Sequence, residues 1–445
     1  MKRIIFFTMA LLTLSNVLKA QQLNRVKLDS LFTAIESYQK GMGSVSIFQN
    51  EKEVYQRSWG YCDVENKIKN EADTRYRIGS ISKTFTATII MKLIEEGKLS
   101  LYSKLSDYYP LISNSSKITI EHLLQHRSGI SNFTNTEDYS EWSKEKQTKE
   151  QLLNRIIFGG TSFEPDGKFE YSNSNYVLLT YIAEDVTSKN FSDLLNEVIV
   201  TPCKLSNTYI GTKIESNNGE AYSYFKLSDN WEKSNETDMS VPLGSGFIVS
   251  TPYDLNKFLS CLFTEKIVNQ ESLDRMISLK NNFGLGLFQA PFHNKIGYGH
   301  TGGIDGFQSN AFYFPESKFS IALVENGVAY MLNNIIIACL SIYFGENYNL
   351  PVFTRSIQLT STQLDKYLGL YSSPNLPIKI AIIKKGNTLI AQGTGQPEMS
   401  LECTDNDIFK CESVDLVLEF TPNENKMVLK QFGMTFEMSK ELLDN

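Results

Sequence analysis

Near Pro351 the spacing of apolar residues changes period, and one uniform architecture cannot accommodate both halves. Downstream of about Leu364 the pattern is short and alternating. Lys379-Ile380-Ala381-Ile382-Ile383 and Thr388-Leu389-Ile390-Ala391 flank the turn signal Lys385-Gly386-Asn387. The runs 416–420 and 427–432 flank Asn423-Glu424-Asn425 in the same way. Period-two runs joined by short polar turns predict an antiparallel all-β unit, a small barrel or sandwich, over residues 360–445. Upstream the signals are mixed. Residues 28–38 have helical spacing, and strand-like runs at 45–48 and 54–59 are joined by Gln49-Asn50-Glu51-Lys52. A helix is predicted from Ser80, carried by Phe85, Ile89, Ile90, Leu93 and Ile94, with Gly97 suited to its C-terminal cap. A strand at 319–324 and an apolar helix at 332–342 close this part. At 445 residues the chain exceeds one typical domain, which agrees with a division into 21–352 and 360–445.

The N-terminus reads as a signal peptide over residues 1–20. Met1-Lys2-Arg3 is a basic start, 4–14 is apolar apart from two Thr, and Ala20 offers a small residue before a cut at Gln21. The apolar run is too short for a comfortable membrane span, and no Cys follows it to take a lipid anchor. An exported protein, periplasmic or secreted, with no stable membrane anchor is the expectation. A net charge of −7 argues against nucleic acid, whose backbone needs clustered cations. The six cysteines are dispersed, with no metal-ligand spacing. Cys403 and Cys411 could meet across a hairpin, but small buried hydrophobes are the favoured reading of all six.

Ser80-Ile81-Ser82-Lys83 places a hydroxyl and an amine three residues apart at a helix start, on one face. A serine needs a base to become a nucleophile, and a lysine whose pKa is lowered by burial can serve. The helix N-terminal amides would favour an oxyanion. The tetrapeptide alone is common, and alone it reads as a solvated helix start. Two further groups change that reading. Tyr171-Ser172-Asn173 supplies a phenol to move protons and an amide that can bond both substrate and Lys. His300-Thr301-Gly302-Gly303 supplies a donor, a hydroxyl and small residues that let an edge strand approach a substrate closely. His122 and His126, four apart on an expected helix, could share a metal, but no H-E-x-x-H is present, and no metal or cofactor is expected. Glu170 reads as structural. The absence of G-x-S-x-G disfavours an α/β-hydrolase.

Taken together, and with the segments 76–79, 118–130, 169–179 and 244–258, these motifs resemble the serine β-lactamase and penicillin-binding family over about residues 25–345. The likeness is greatest to its class C β-lactamase, D,D-peptidase, D-aminopeptidase and esterase branch. The resemblance implies an α/β (α+β) domain, an antiparallel sheet flanked by helices with a helical subdomain, ahead of the small β unit. It implies an acyl-enzyme on Ser80, proton handling by Lys83 and Tyr171, and an oxyanion hole from the amides of Ser80 and Gly303. Asn173, His300, Thr301 and Gly302 would bind substrate. The family form of the last motif carries Lys where this chain has His300. A histidine offers only partial charge near neutral pH, since its ordinary pKa is about 6.5. The expected partner is a small-molecule or peptide substrate, peptidoglycan-derived ones included, and peptides, esters and β-lactams stay open. So do the oligomeric state and the alternative of a penicillin-binding sensor or scaffold that acylates with little turnover.

Overall fold

The computed structural model describes residues 23–227 and 230–441. The expected signal peptide lies outside the described residues. Helix α1 (Arg25–Ser37) starts at Asn24, whose side chain accepts from the Lys27 amide, and buries Leu28, Leu31, Phe32 and Ile35 along one stripe. Each such burial stabilises by about 2 kcal/mol. Strands β1 (Gly41–Gln49) and β2 (Lys52–Trp59) form the hairpin anticipated from their apolar runs, with Asn50 and Glu51 at its tip in left-handed conformation. Three later strands stand consecutively against them: β3 (Phe288–Phe292), β4 (Lys295–Ile304) and β5 (Phe307–Phe314) lead to β6 (Phe319–Val328). The spatial order is β3-β4-β5-β6-β1-β2, all antiparallel, with Val45 opposite Leu323. A hairpin of Tyr224–Leu227 and Asn230–Lys233 joins β6 at Gly327.

Strand alternation gives the sheet two apolar faces. Ala311, Tyr313, Ala322 and Val324 face the helical layer, where α2 (Ser82–Glu95), α3 (Asn173–Thr187) and α4 (Pro252–Phe263) pack. Phe85 of α2 stacks on Phe258 of α4 with centroids 3.8 Å apart. Phe312, Phe314, Ile321 and Leu323 face α1 and α5 (Leu332–Phe344). Helix, sheet, helix is therefore the layering. Beyond it, eight strands between Gly369 and Lys440 close into a barrel with its own core, which includes Tyr371, Leu389, Leu418 and Met427. Lys40 ties the two bodies: buried at the start of β1, its ammonium reaches Glu402 at 2.6 Å and Glu412 at 2.9 Å, both on the barrel, while Glu402 also takes Lys226 at 2.9 Å.

The cysteines are free thiols, five of them buried. Cys403 stands opposite Phe409 and Cys411 opposite Leu416, so the strand register does not bring this pair face to face. Among the described residues no helix is long and apolar enough to cross a membrane.

Candidate active site

Residues 79–81 form a single tight turn before α2, and this turn presents Ser80 at the head of the helix. The turn is pinned on both sides. The Ile78 amide donates to the Ile248 carbonyl, and the Ile248 amide donates to the Ser82 hydroxyl. Opposite lies β4. A β-carbon on Gly79, which has φ +51°, would fall 2.7 Å from the Gly303 nitrogen, and one on Gly302 would fall 2.1 Å from the Ile78 oxygen. Only glycine lets these two backbones come so close. Gly302 and Gly303 thus border the Ser80 turn.

At the start of α2, one turn beyond Ser80, Lys83 is fully buried. Its amine is within 3.1 Å of Ser80 Oγ, 2.7 Å of Asn173 Oδ1 and 2.8 Å of the Ser245 carbonyl oxygen. No carboxylate accompanies it in this contact set, and burial pushes its pKa well below the ordinary lysine value. The amide orientation of Asn173 is fixed from its other end, where Nδ2 donates to Thr134 Oγ1 at 3.2 Å. Both carbonyl oxygens can only accept, so they consume two amine N–H bonds. A deprotonated amine with both N–H bonds so engaged would have its lone pair left for the Ser80 side. Ser245 was not anticipated as a partner. It acts through its backbone oxygen, for which no residue type is a signal.

Tyr171 lies over the same amine, its ring centroid 4.8 Å from Lys83 Nζ. Its phenol is hydrogen-bonded to the Ser80 side chain; burial raises its pKa, and that bond opposes the rise. The phenol therefore carries its proton at neutral pH. His300 sits 6.4 Å from the Tyr171 ring, against Phe283 and Phe288. It is buried, and burial depresses its pKa to about 3, so the imidazole is neutral. Its Nδ1 contacts the Thr301 carbonyl, which makes that nitrogen the N–H donor. Thr301 occupies the alternate position of the strand, opposite Asn310, and is exposed. The structure thus gathers Ser80, Lys83, Tyr171 and Asn173, places Gly302 and Gly303 at their border, sets His300 behind Tyr171, and turns Thr301 to the other face of β4.

The two histidines weighed as a metal pair are separate. The helix Ile120–Leu124 ends before His126, which has φ +55° and turns into the core, while His122 accepts from the Thr119 amide at that helix's start. Glu170 is exposed and bonded to Lys168 and Ser162, away from the Ser80 cluster.

Residues 28–333 match the Beta-lactamase family. The chain belongs to that family. Among curated members, the teichoic acid D-alanine hydrolase of Staphylococcus aureus (strain MRSA252) is 25% identical over 316 residues, covering 69% of this chain and 74% of that protein. The same-named protein of Staphylococcus aureus (strain COL) is 29% identical over 234 residues, 51% of this chain and 57% of its own length. The chain therefore spans between about half and three quarters of these Beta-lactamase family members. Among solved structures, D-amino acid amidase from Ochrobactrum anthropi SV3 superposes with a TM-score of 0.64 at 25% identity, over 72% of this chain and 99% of that one. An octameric penicillin-binding protein homologue from Pyrococcus abyssi reaches 0.63 at 25% identity and covers 94% of this chain and all of its own.

Proposed function

We propose that this Beta-lactamase family member is an exported serine hydrolase that carries the acyl half of an ester or amide on Ser80 and passes it to water. The observation that carries the proposal is the partner set of Lys83: two carbonyl acceptors take its N–H bonds and leave its lone pair for the Ser80 proton. Ser80 Oγ attacks the substrate carbonyl as its proton moves to Lys83. The developing oxyanion is held by the amides of Ser80 and Gly303. Tyr171, protonated at neutral pH, gives its proton to the leaving oxygen or nitrogen and is resupplied from Lys83. Water then releases the acyl group by the reverse sequence, so every proton taken is returned.

The substrate class follows from His300. A donor ending in a free carboxylate would want a fixed cation at this position, and a neutral imidazole packed on Phe283 and Phe288 supplies none. That favours D-aminoacyl esters and amides over peptides with a free C-terminal carboxylate. The named activities of the teichoic acid D-alanine hydrolase and the D-amino acid amidase point the same way. The barrel is proposed as a separate domain that braces the hydrolase through Lys40.

The test is one panel on wild type and Ser80→Ala: a D-alanyl ester, a D-amino acid amide, a short nitrophenyl ester, a D-Ala-D-Ala peptide, a chromogenic cephalosporin and a fluorescent penicillin. Turnover of the D-aminoacyl ester or amide by wild type alone is expected. Equal signals from both proteins on every compound would end the reading. Stable labelling by penicillin with no turnover of any donor would identify a sensor instead.

A further inference from the structure

His126 lies outside the set of residues assigned to bond making, yet three successive residues of the catalytic loop meet it. Its carbonyl oxygen accepts from the Glu170 amide at 3.0 Å, and its Nδ1 accepts from the Ser172 amide at 3.1 Å. Between these two, its ring lies on that of Tyr171, with centroids 4.3 Å apart and planes at 31°. Asn175 Nδ2 also reaches Nδ1, at 3.3 Å, and the Asn175 amide is oriented by Ser128 Oγ, 2.6 Å from its Oδ1. A backbone N–H can only donate, so Nδ1 is the acceptor, and the ring is the neutral tautomer with its hydrogen on Nε2. Nε2 has no hydrogen-bond partner and the residue is fully buried. The bland alternative is a core histidine that merely fills space beside Phe283, 5.0 Å away.

We propose that His126 is a positioning residue for Tyr171: through its carbonyl, its ring face and Nδ1 it clamps residues 170–172 and so sets where the phenol stands over Ser80 and Lys83. Of these three contacts, the Nδ1 lone pair is the one that a ring of similar size without nitrogen cannot supply, so the clamp depends on an acceptor there and not on a charge. A space-filling histidine has the opposite requirement, because the ring matters and the lone pair does not. The inference rests on the acyl-transfer reading above.

Two substitutions separate these roles. His126→Asn keeps an acceptor at the position of Nδ1, since Asn Oδ1 stands one bond beyond Cγ, and Asn tolerates the left-handed φ of this residue. His126→Phe keeps a ring but removes the Nδ1 acceptor along with an Nε2 donor that has no partner, and so leaves the Ser172 amide unpaired. The clamp predicts kcat within about fivefold of wild type for His126→Asn and at least ~10² lower for His126→Phe, with KM little changed, the size expected when proton transfer is mispositioned. In a Tyr171→Phe background the second substitution should cost nothing more, because the residue acts through Tyr171. Wild-type rates for His126→Phe, or a further loss on top of Tyr171→Phe, would overturn the proposal. Nitrogen-15 NMR of the unmodified enzyme gives a readout that does not depend on any variant folding: an unprotonated Nδ1 in His126 is expected, and a proton there contradicts the clamp. A wild type inactive on the whole panel would instead defeat the hydrolase reading.

Discussion

Gly302 stands so close to the turn that carries Ser80 that a β-carbon on it would lie 3.0 Å from the Ser80 nitrogen and 2.1 Å from the Ile78 oxygen. Strand β4 and the head of α2 are thus in backbone contact, with no side chain between them. Gly302→Ala should push β4 outward and carry the Gly303 amide from its place. A loss of about 10²–10³ in kcat is expected, the size seen when one oxyanion donor is removed. Steady-state kinetics beside an unchanged circular dichroism spectrum checks it, and a rate within a factor of three would remove Gly303 from the oxyanion hole.

Lys83 should trade stability for reactivity. Its folded pKa lies below the unfolded one, so the folded state loses stability as pH falls below the ordinary lysine value. Lys83→Met removes that cost with an unbranched apolar side chain one atom shorter. The variant should melt higher than wild type at pH 7 and be slower by at least ~10³. Calorimetry and acylation rates measured together check it; a lower melting temperature would show that the bonds of Lys83 to Asn173 and Ser245 outweigh the cost of its burial.

Acid should act on the protein through His300. Its folded pKa is about 3 and its unfolded value about 6.5, so between these limits the unfolded chain holds the extra proton. Stability is therefore whole above about pH 6.5 and falls as pH drops towards 3, by about 1.4 kcal/mol per pH unit for this group. Burial depresses His126 in the same direction. His300→Phe, placed among Phe283 and Phe288, should flatten the pH dependence of urea midpoints over this window. Parallel curves for variant and wild type would show that His300 titrates in the fold as it does in the unfolded chain.

The barrel's attachment should depend on Lys40. Removing it leaves Glu412 without its 2.9 Å partner and Glu402 with Lys226 alone. Breaking a buried pair in this one-sided way costs about 3–5 kcal/mol, and the surviving Lys226 contact places Lys40→Ala at the lower end. Chemical denaturation should show the barrel's transition separating from that of the hydrolase sheet. A single unchanged transition would mean that apolar contact alone joins the two bodies.

The hairpin of β1 and β2 was legible because Val45 to Phe48 and Val54 to Trp59 are compact apolar runs around a polar tip. Ser80, Lys83, Tyr171 and Asn173 were legible because side-chain chemistry demands those residue types. What escaped was carried by backbone or by remote contact. The Ser245 carbonyl could be any residue's, and His126 showed as half of a metal spacing because its left-handed turn, which ends the helix, has no local signature. Strand β3 contains Pro291, and the barrel strands Glu398–Asp405 and Met434–Lys440 carry several charges, so their pairing is imposed by closure of the sheet or barrel and not by their own patterns.

The pairing of β1 with β6 has a consequence for how the molecule comes into being. Residues 41–49 leave a ribosome well before their partner strand, residues 319–328, which comes near the end of the hydrolase portion. Until then the opening hairpin has one open edge, and the layers on both faces lack a floor. Assembly must wait for nearly the whole hydrolase portion, which makes it slow and leaves the nascent chain exposed to aggregation. Folding that is delayed until both strands are available avoids that hazard, and the topology is suited to it.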